Sequence, residues 1–102
     1  MELENVILDA IKLAETTIPS DVYEHLNLAY NKEKNEISRS QLKSILDNVE
    51  YAREKSLPIC QDTGTQTFFL DVGFDFPFKK ELVNSIIRAV SRATSLYYIR
   101  PN

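Results

Sequence analysis

Leu57-Pro58-Ile59-Cys60-Gln61-Asp62-Thr63-Gly64 is the stretch on which the reading of this chain turns. Upstream of it, apolar residues recur at spacings of three and four, the period of a helix. Downstream the pattern shifts to one that suits a strand. Pro58 disfavours helical geometry at Leu57, so the preceding helix ends at Ser56 or before it. With Gly64 at its far end, the segment predicts a tight, non-helical loop. That loop presents a thiol, an amide and a carboxyl group side by side, between a helix and a strand.

Working back from the loop, Leu42, Ile45, Leu46, Val49 and Ala52 form a continuous apolar stripe. Ser38 and Gln41 stand in capping-box relation at its start, and Ile37 with Leu42 can form a hydrophobic staple. The polar run Asn31-Lys32-Glu33-Lys34-Asn35 reads as a loop. Before it, Val22, Leu26, Ala29 and Tyr30 share one side of a second helix, capped by Ser20 or Asp21 after the break at Pro19. Leu3, Ile7, Ala10, Ile11 and Ala14 mark one face of a first helix.

Working forward, residues 65–72 (Thr-Gln-Thr-Phe-Phe-Leu-Asp-Val) are β-prone through their threonines and aromatics, and Gly73 ends the run. A single strand cannot satisfy its own backbone, so it must pair with strands not obvious in this chain. A long helix over 79–96 follows, carrying Leu82, Val83, Ile86, Ile87, Val90 and Ala93, with Tyr97 at its end. The expected fold class is mainly α with a small β component (α+β): three N-terminal helices, a cysteine loop, one strand and a long C-terminal helix.

Composition bounds the function. The 102 residues suffice for one small domain, and 43% hydrophobic with 26% charged residues is ordinary for a soluble globular chain. A net charge of −3 argues against a nucleic-acid-binding surface. No apolar run approaches the roughly 20 residues that span a bilayer. Glu2, Glu4 and Asp9, with Lys12 as the one Lys or Arg before Lys32, are wrong for a signal or transit peptide, so the cytoplasm is expected. The single cysteine, Cys60, excludes an internal disulfide and a complete cysteine-based metal site within the chain.

A cysteine thiolate is the usual iron–sulfur ligand, a carboxylate can handle a proton or a substrate hydroxyl, and an amide can orient a carboxylate substrate. Taken alone the pattern is weak. A lone intracellular cysteine is more often a small buried hydrophobe than a ligand, and Asp62-Thr63-Gly64 is by itself an ordinary turn sequence.

The motif Pro58-Ile59-Cys60-Gln61-Asp62-Thr63-Gly64 resembles the proline–aliphatic–Cys-Gln-Asp-Thr-Gly segment of class I fumarases and tartrate dehydratases. The likeness covers essentially the whole chain, through the Pro19 region, Glu36-Ile37-Ser38, the strand, the last helix and Ile99-Arg100-Pro101. It implies an N-terminal fragment, 1–102, of the α subunit or α region. Within it, residues 1–56 would be helical and residues 57–102 would hold the cluster loop, strand and helix. The resemblance implies a [4Fe–4S] cluster for which Cys60 is the first of three cysteine ligands, so that the cofactor is incomplete here. Gln61 and Asp62 match substrate-binding positions, with Asp62 the catalytic candidate near the hydroxyl. Arg100 matches an arginine that grips a substrate carboxylate. Reversible hydration of fumarate to malate, a tricarboxylic acid cycle reaction, or dehydration of tartrate is the implied activity. The implied partners are a small dicarboxylic acid, the remainder of the α region and a β subunit or domain, in an oligomer. The fragment alone is expected to be inactive, and no residue here matches the carbon base.

Other readings stand beside this one. The helices could serve as a non-catalytic interaction or oligomerisation module. A thiol redox sensor needs basic neighbours or a helix N-terminus, whereas Cys60 follows a helix and precedes Asp62. His25 has no second ligand at i+3 or i+4 and is expected at or near the surface. Arg88 and Arg92, spaced i, i+4, could line an anion site but read first as a solvent face. Of Phe68, Phe69, Phe74, Phe76 and Phe78, most are expected in a core or subunit interface, and some would form an exposed patch where partner strands lie elsewhere.

Overall fold

The structure, a computed structural model, describes residues 2–60 and 64–101. Four α-helices carry it: α1 (Glu2–Thr16), α2 (Ser20–Lys32), α3 (Glu36–Lys55) and α4 (Leu82–Leu96), the last entered through a 3₁₀ turn at Lys79–Glu81. The order of helices is the expected one. α1 lies along α4 and also touches α3, and α2 packs on α3.

The seam between α1 and α4 holds the principal core. Leu8 and Ile11 meet Ala89 and Ala93, with Ile99 folded back against them and Ile7, Phe68, Val90 and Tyr97 around the edge. Ser85, Ala89 and Ala93 recur every fourth residue and have no exposed area. Small side chains in one row let a facing helix approach closely, with its own larger side chains filling the space between. Tyr98 takes a left-handed backbone (φ 56°), which turns the chain so that Ile99 can reach this core.

Three sequence expectations are corrected here. On α1 the buried row is Glu4, Leu8 and Ile11, while Ala10 and Ala14 are exposed. The helix is rotated by a charged residue, as described below. On α3 the N-cap is Asn35, whose side-chain oxygen accepts from the Ile37 and Ser38 amides at 3.0 Å. Ser38 therefore lies inside the first turn, and Ile37 is exposed rather than stapled. On α2 the N-cap is Pro19 without a side-chain hydrogen bond, and Ser20 is already helical.

The expected β component is absent among the described residues. Residues 65–72 form no ladder, because nothing in the described chain offers them a partner strand. Within the segment Gln66 and Phe68 are half-buried, while Thr65, Thr67, Phe69, Leu70 and Val72 are exposed. Phe76 and Phe78 meet edge to face at 5.8 Å, whereas Phe69 and Phe74 are more than nine-tenths exposed.

The body is elongated. Its radius of gyration is 17.1 Å, against about 13 Å for a compact domain of this length. Its accessible surface is 7790 Å², against about 5900 Å² for a compact monomer of its mass. No helix among the described residues is long and apolar enough to cross a membrane.

α3 ends where the sequence places its end. Ser56 adopts the left-handed conformation (φ 55°), and the Leu57 amide donates to Ala52 O at 2.9 Å, closing a Schellman motif. Glycine holds that backbone without a Cβ penalty. Ser56→Gly is therefore expected to raise stability by about 0.5–1 kcal/mol, after allowance for the greater freedom of glycine in the unfolded chain. Urea denaturation followed by circular dichroism measures it, and a lower midpoint would contradict the expectation.

Candidate functional site

The link from Ser56 to Cys60 is short and fastened at both Leu57 and Ile59. Pro58 between them has a fixed φ and no N–H. At Ile59 both backbone groups are held: its amide donates to Glu15 O at 3.0 Å, and its carbonyl accepts from Asn48 Nδ2 at 2.7 Å. Glu15 stands in the last turn of α1, where carbonyls lack an intrahelical donor, so the Ile59 amide fills a place the helix leaves open. Cys60 follows directly and is exposed. The expectations for Gln61 and Asp62 fall outside the described residues.

The chain is described again from Gly64, whose backbone is left-handed (φ +64°). That conformation suits glycine, and it starts the segment that crosses to α4. Gln66 then donates from Nε2 to Glu15 Oε1 at 3.0 Å. Glu15 thus receives both sides of the loop, Ile59 on its carbonyl and Gln66 on its carboxylate.

Between this segment and α4 lies an open groove of about 610 Å³. Gly64 and Phe68 line one side and Ile86, Val90 and Thr94 the other, with Arg100 also among the lining residues. The structure therefore brings Arg100 and the Gly64 end of the cysteine loop to one cleft, although they are far apart in sequence. Its walls are largely apolar with one arginine among them. Among the described residues no three His, Cys, Asp or Glu side chains are grouped to hold a metal ion. As a donor set the chain offers one exposed thiolate, which fits one ligand of a cluster and no more.

Arg88 and Arg92 are half-exposed and paired, rather than a plain solvent face. Arg88 Nε donates to Glu4 Oε1 at 2.6 Å and Arg92 Nη1 to Glu4 Oε2 at 2.9 Å, and Arg92 Nη1 also reaches Asn5 Oδ1 at 2.8 Å. Their hydrogen bonds hold the Glu4 carboxyl below its ordinary value of 4.5, against the opposing effect of its burial. His25 is exposed and donates from Nδ1 to Asp21 O at 2.7 Å, a local helix contact as expected. On α2, the Tyr23 hydroxyl donates to Glu50 of α3, and this bond raises the phenol above its usual range.

The ties at Asn48, Glu15 and Gln66 were not singled out from sequence. Asn48 carried a weak signal, as asparagine is a poor helix former in the middle of a helix. For Glu15 and Gln66 there was none.

A sequence pattern matches the chain over residues 4–102, that of the family described as fumarate hydratase (Fumerase). A protein of Methanocaldococcus jannaschii named "Putative L(+)-tartrate dehydratase subunit alpha" is 35% identical over all of this chain and 36% of its own length. The L(+)-tartrate dehydratase subunit alpha of Escherichia coli K12 is 30% identical over 99% of this chain and 33% of its own length. The chain thus spans about a third of the length of these relatives.

The Glu4 clamp has a pH signature. Its folded value lies below the unfolded one, so its contribution is complete above about pH 4.5 and is lost as pH falls through the folded value. Glu4→Gln is expected to lower the thermal midpoint at pH 7. The gap to the parent chain should narrow as pH is taken from 5 to 3. Thermal melts across that range measure it, and a gap that stayed constant would contradict the clamp.

Proposed function

Since the chain belongs to the fumarate hydratase (Fumerase) family, we propose that it forms a portion of the α region of an iron–sulfur hydro-lyase. That enzyme interconverts fumarate and malate. The observation that carries the reading is the family match over residues 4–102, joined to a fastened link that leaves Cys60 exposed and a groove lined by both Gly64 and Arg100. A second reading, dehydration of L(+)-tartrate, is favoured by the names of the relatives. Both reactions move water on a four-carbon dicarboxylic acid.

Cys60 would hold one corner of a [4Fe–4S] cluster, two further thiolates coming from outside these residues. When bound, that group supplies a Lewis acid that polarises the hydroxyl of the substrate. The chain's own residues do the rest of what is assigned to it. Arg100 pairs with a substrate carboxylate, for which the planar guanidinium provides two parallel donors. Gln61 donates a hydrogen bond to the bound acid. Asp62 accepts or returns the proton of the hydroxyl, while the proton on carbon is left to a base elsewhere. The partner implied by relatives named as alpha subunits is a second subunit, and the working enzyme is an oligomer placed in the cytoplasm.

In the assembled enzyme, reconstituted anaerobically with iron and sulfide, Cys60→Ala is expected to abolish the brown cluster chromophore. An unchanged spectrum would remove the ligand assignment. Arg100→Ala is expected to keep the chromophore and raise KM for the dicarboxylic acid roughly 10- to 100-fold, the loss of hydrogen bonds to a charged group. Steady-state kinetics on fumarate, malate and L(+)-tartrate measure this and separate the two substrates by kcat/KM. A KM unchanged on every one of them would exclude Arg100 from the site.

A further inference from the structure

We propose that Asn48 is a positioning residue for the Cys60 thiolate, acting through the peptide that joins Ile59 to Cys60. This rests on the reading of Cys60 as a cluster ligand. The argument is geometric. A peptide unit is planar, so the direction of the Ile59 carbonyl fixes the plane that also contains the Cys60 nitrogen and Cα. Asn48 Nδ2 holds that carbonyl at 2.7 Å. The Ile59 amide, held by Glu15 O at 3.0 Å, belongs to the preceding peptide and fixes where the last one begins. With both ties made, the peptide that carries the Cys60 nitrogen and Cα is set in place.

The contacts around the loop divide the work. Ala52 O takes the Leu57 amide at 2.9 Å and sets the exit from α3. Gln66 and Glu15 tie the far side of the loop at 3.0 Å. The side chain of Asn48 acts on the carbonyl half of the peptide that carries the cysteine nitrogen. It projects from an exposed position of α3, outside the buried row Leu46, Val49 and Ala52, so its role can be removed without opening the core. Residues that orient a metal ligand without touching the metal change its retention by about 10- to 100-fold when replaced.

The test uses the full α chain containing this segment, assembled with its partner subunit and loaded with cluster. Asn48→Asp keeps the shape but sets a carboxylate against the Ile59 carbonyl oxygen, and Asn48→Ala removes the donor. Both are expected to lose the chromophore to a chelator about 10-fold faster than the parent. Ser44→Gly, one turn earlier on the exposed side of α3, destabilises the helix without touching the loop and is expected to bleach at the parent rate. Wild-type bleaching in both Asn48 variants, or equal acceleration in Ser44→Gly, overturns the proposal. Cys60→Ala is run in the same series. A cluster that still forms there overturns the ligand reading and the proposal with it. No cluster there, with unaltered bleaching in the Asn48 variants, overturns the positioning role alone.

Discussion

The close seam between α1 and α4 is the constraint on which the rest depends. Ser85, Ala89 and Ala93 are sealed completely, which is possible only because their side chains are small enough for α1 to lie against them. Glu4 sets the rotation of α1 in that seam, held between Arg88 and Arg92. The arginines of this clamp are half-exposed and Glu4 is largely buried, so its geometry bears on which face of α1 turns inward. Once α1 is fixed, Glu15 in its last turn stands where its carbonyl meets Ile59 and its carboxylate meets Gln66. The cysteine loop is thus registered on the same seam that makes the core.

The surface this leaves open has a consistent character. Val83 and Ile87 face outward from α4, and Phe69 and Phe74 are almost fully exposed in the segment before it. A monomer rarely leaves this much aromatic surface to water unless something else covers it. The extended segment at 65–72 remains at the surface for a related reason. Backbone groups without a ladder must reach solvent or another chain, and water meets them there. The long, open shape and the unladdered segment therefore have one cause, a shortage of partner surface within the described residues.

What the sequence made legible was largely what local chemistry decides. The helices were visible because apolar spacing over 12 or more residues survives errors in detail. The break at Ser56 followed from Pro58, and the loop from Pro58 and Gly64. The cap of α3 was missed by three residues because Asn35 and Ser38 are both competent caps, and only the entry of the chain from α2 decides between them. The face of α1 was missed because hydrophobic spacing does not count an acid as a core residue, and Glu4 became one through partners more than 80 residues away. The strand was wrong among the described residues: β-prone residue types at 65–72 do not make a strand where no partner is there to pair with them. At the site, Cys60 and Arg100 were marked by resemblance, but the groove that joins Arg100 to Gly64 and the ties at Asn48 and Glu15 are tertiary facts with no local signature.

A ligand cysteine must satisfy two opposed demands, and this loop separates them. On the proposed reading its sulfur has to be accessible to iron, and Cys60 is exposed. Exposure usually brings mobility, and ordering a mobile residue at the moment of binding costs about 1–2 kcal/mol for the backbone alone. Here the backbone before the cysteine is ordered by Ala52, Glu15 and Asn48 when the helices fold. The cost is met in folding, where the seam of α1 and α4 supports it, and under the proposed ligand role it would not recur on metal binding. The same logic explains why the ties gather at Ile59. Pro58 can donate nothing, so of the two residues directly before the cysteine only Ile59 has both polar groups to hold.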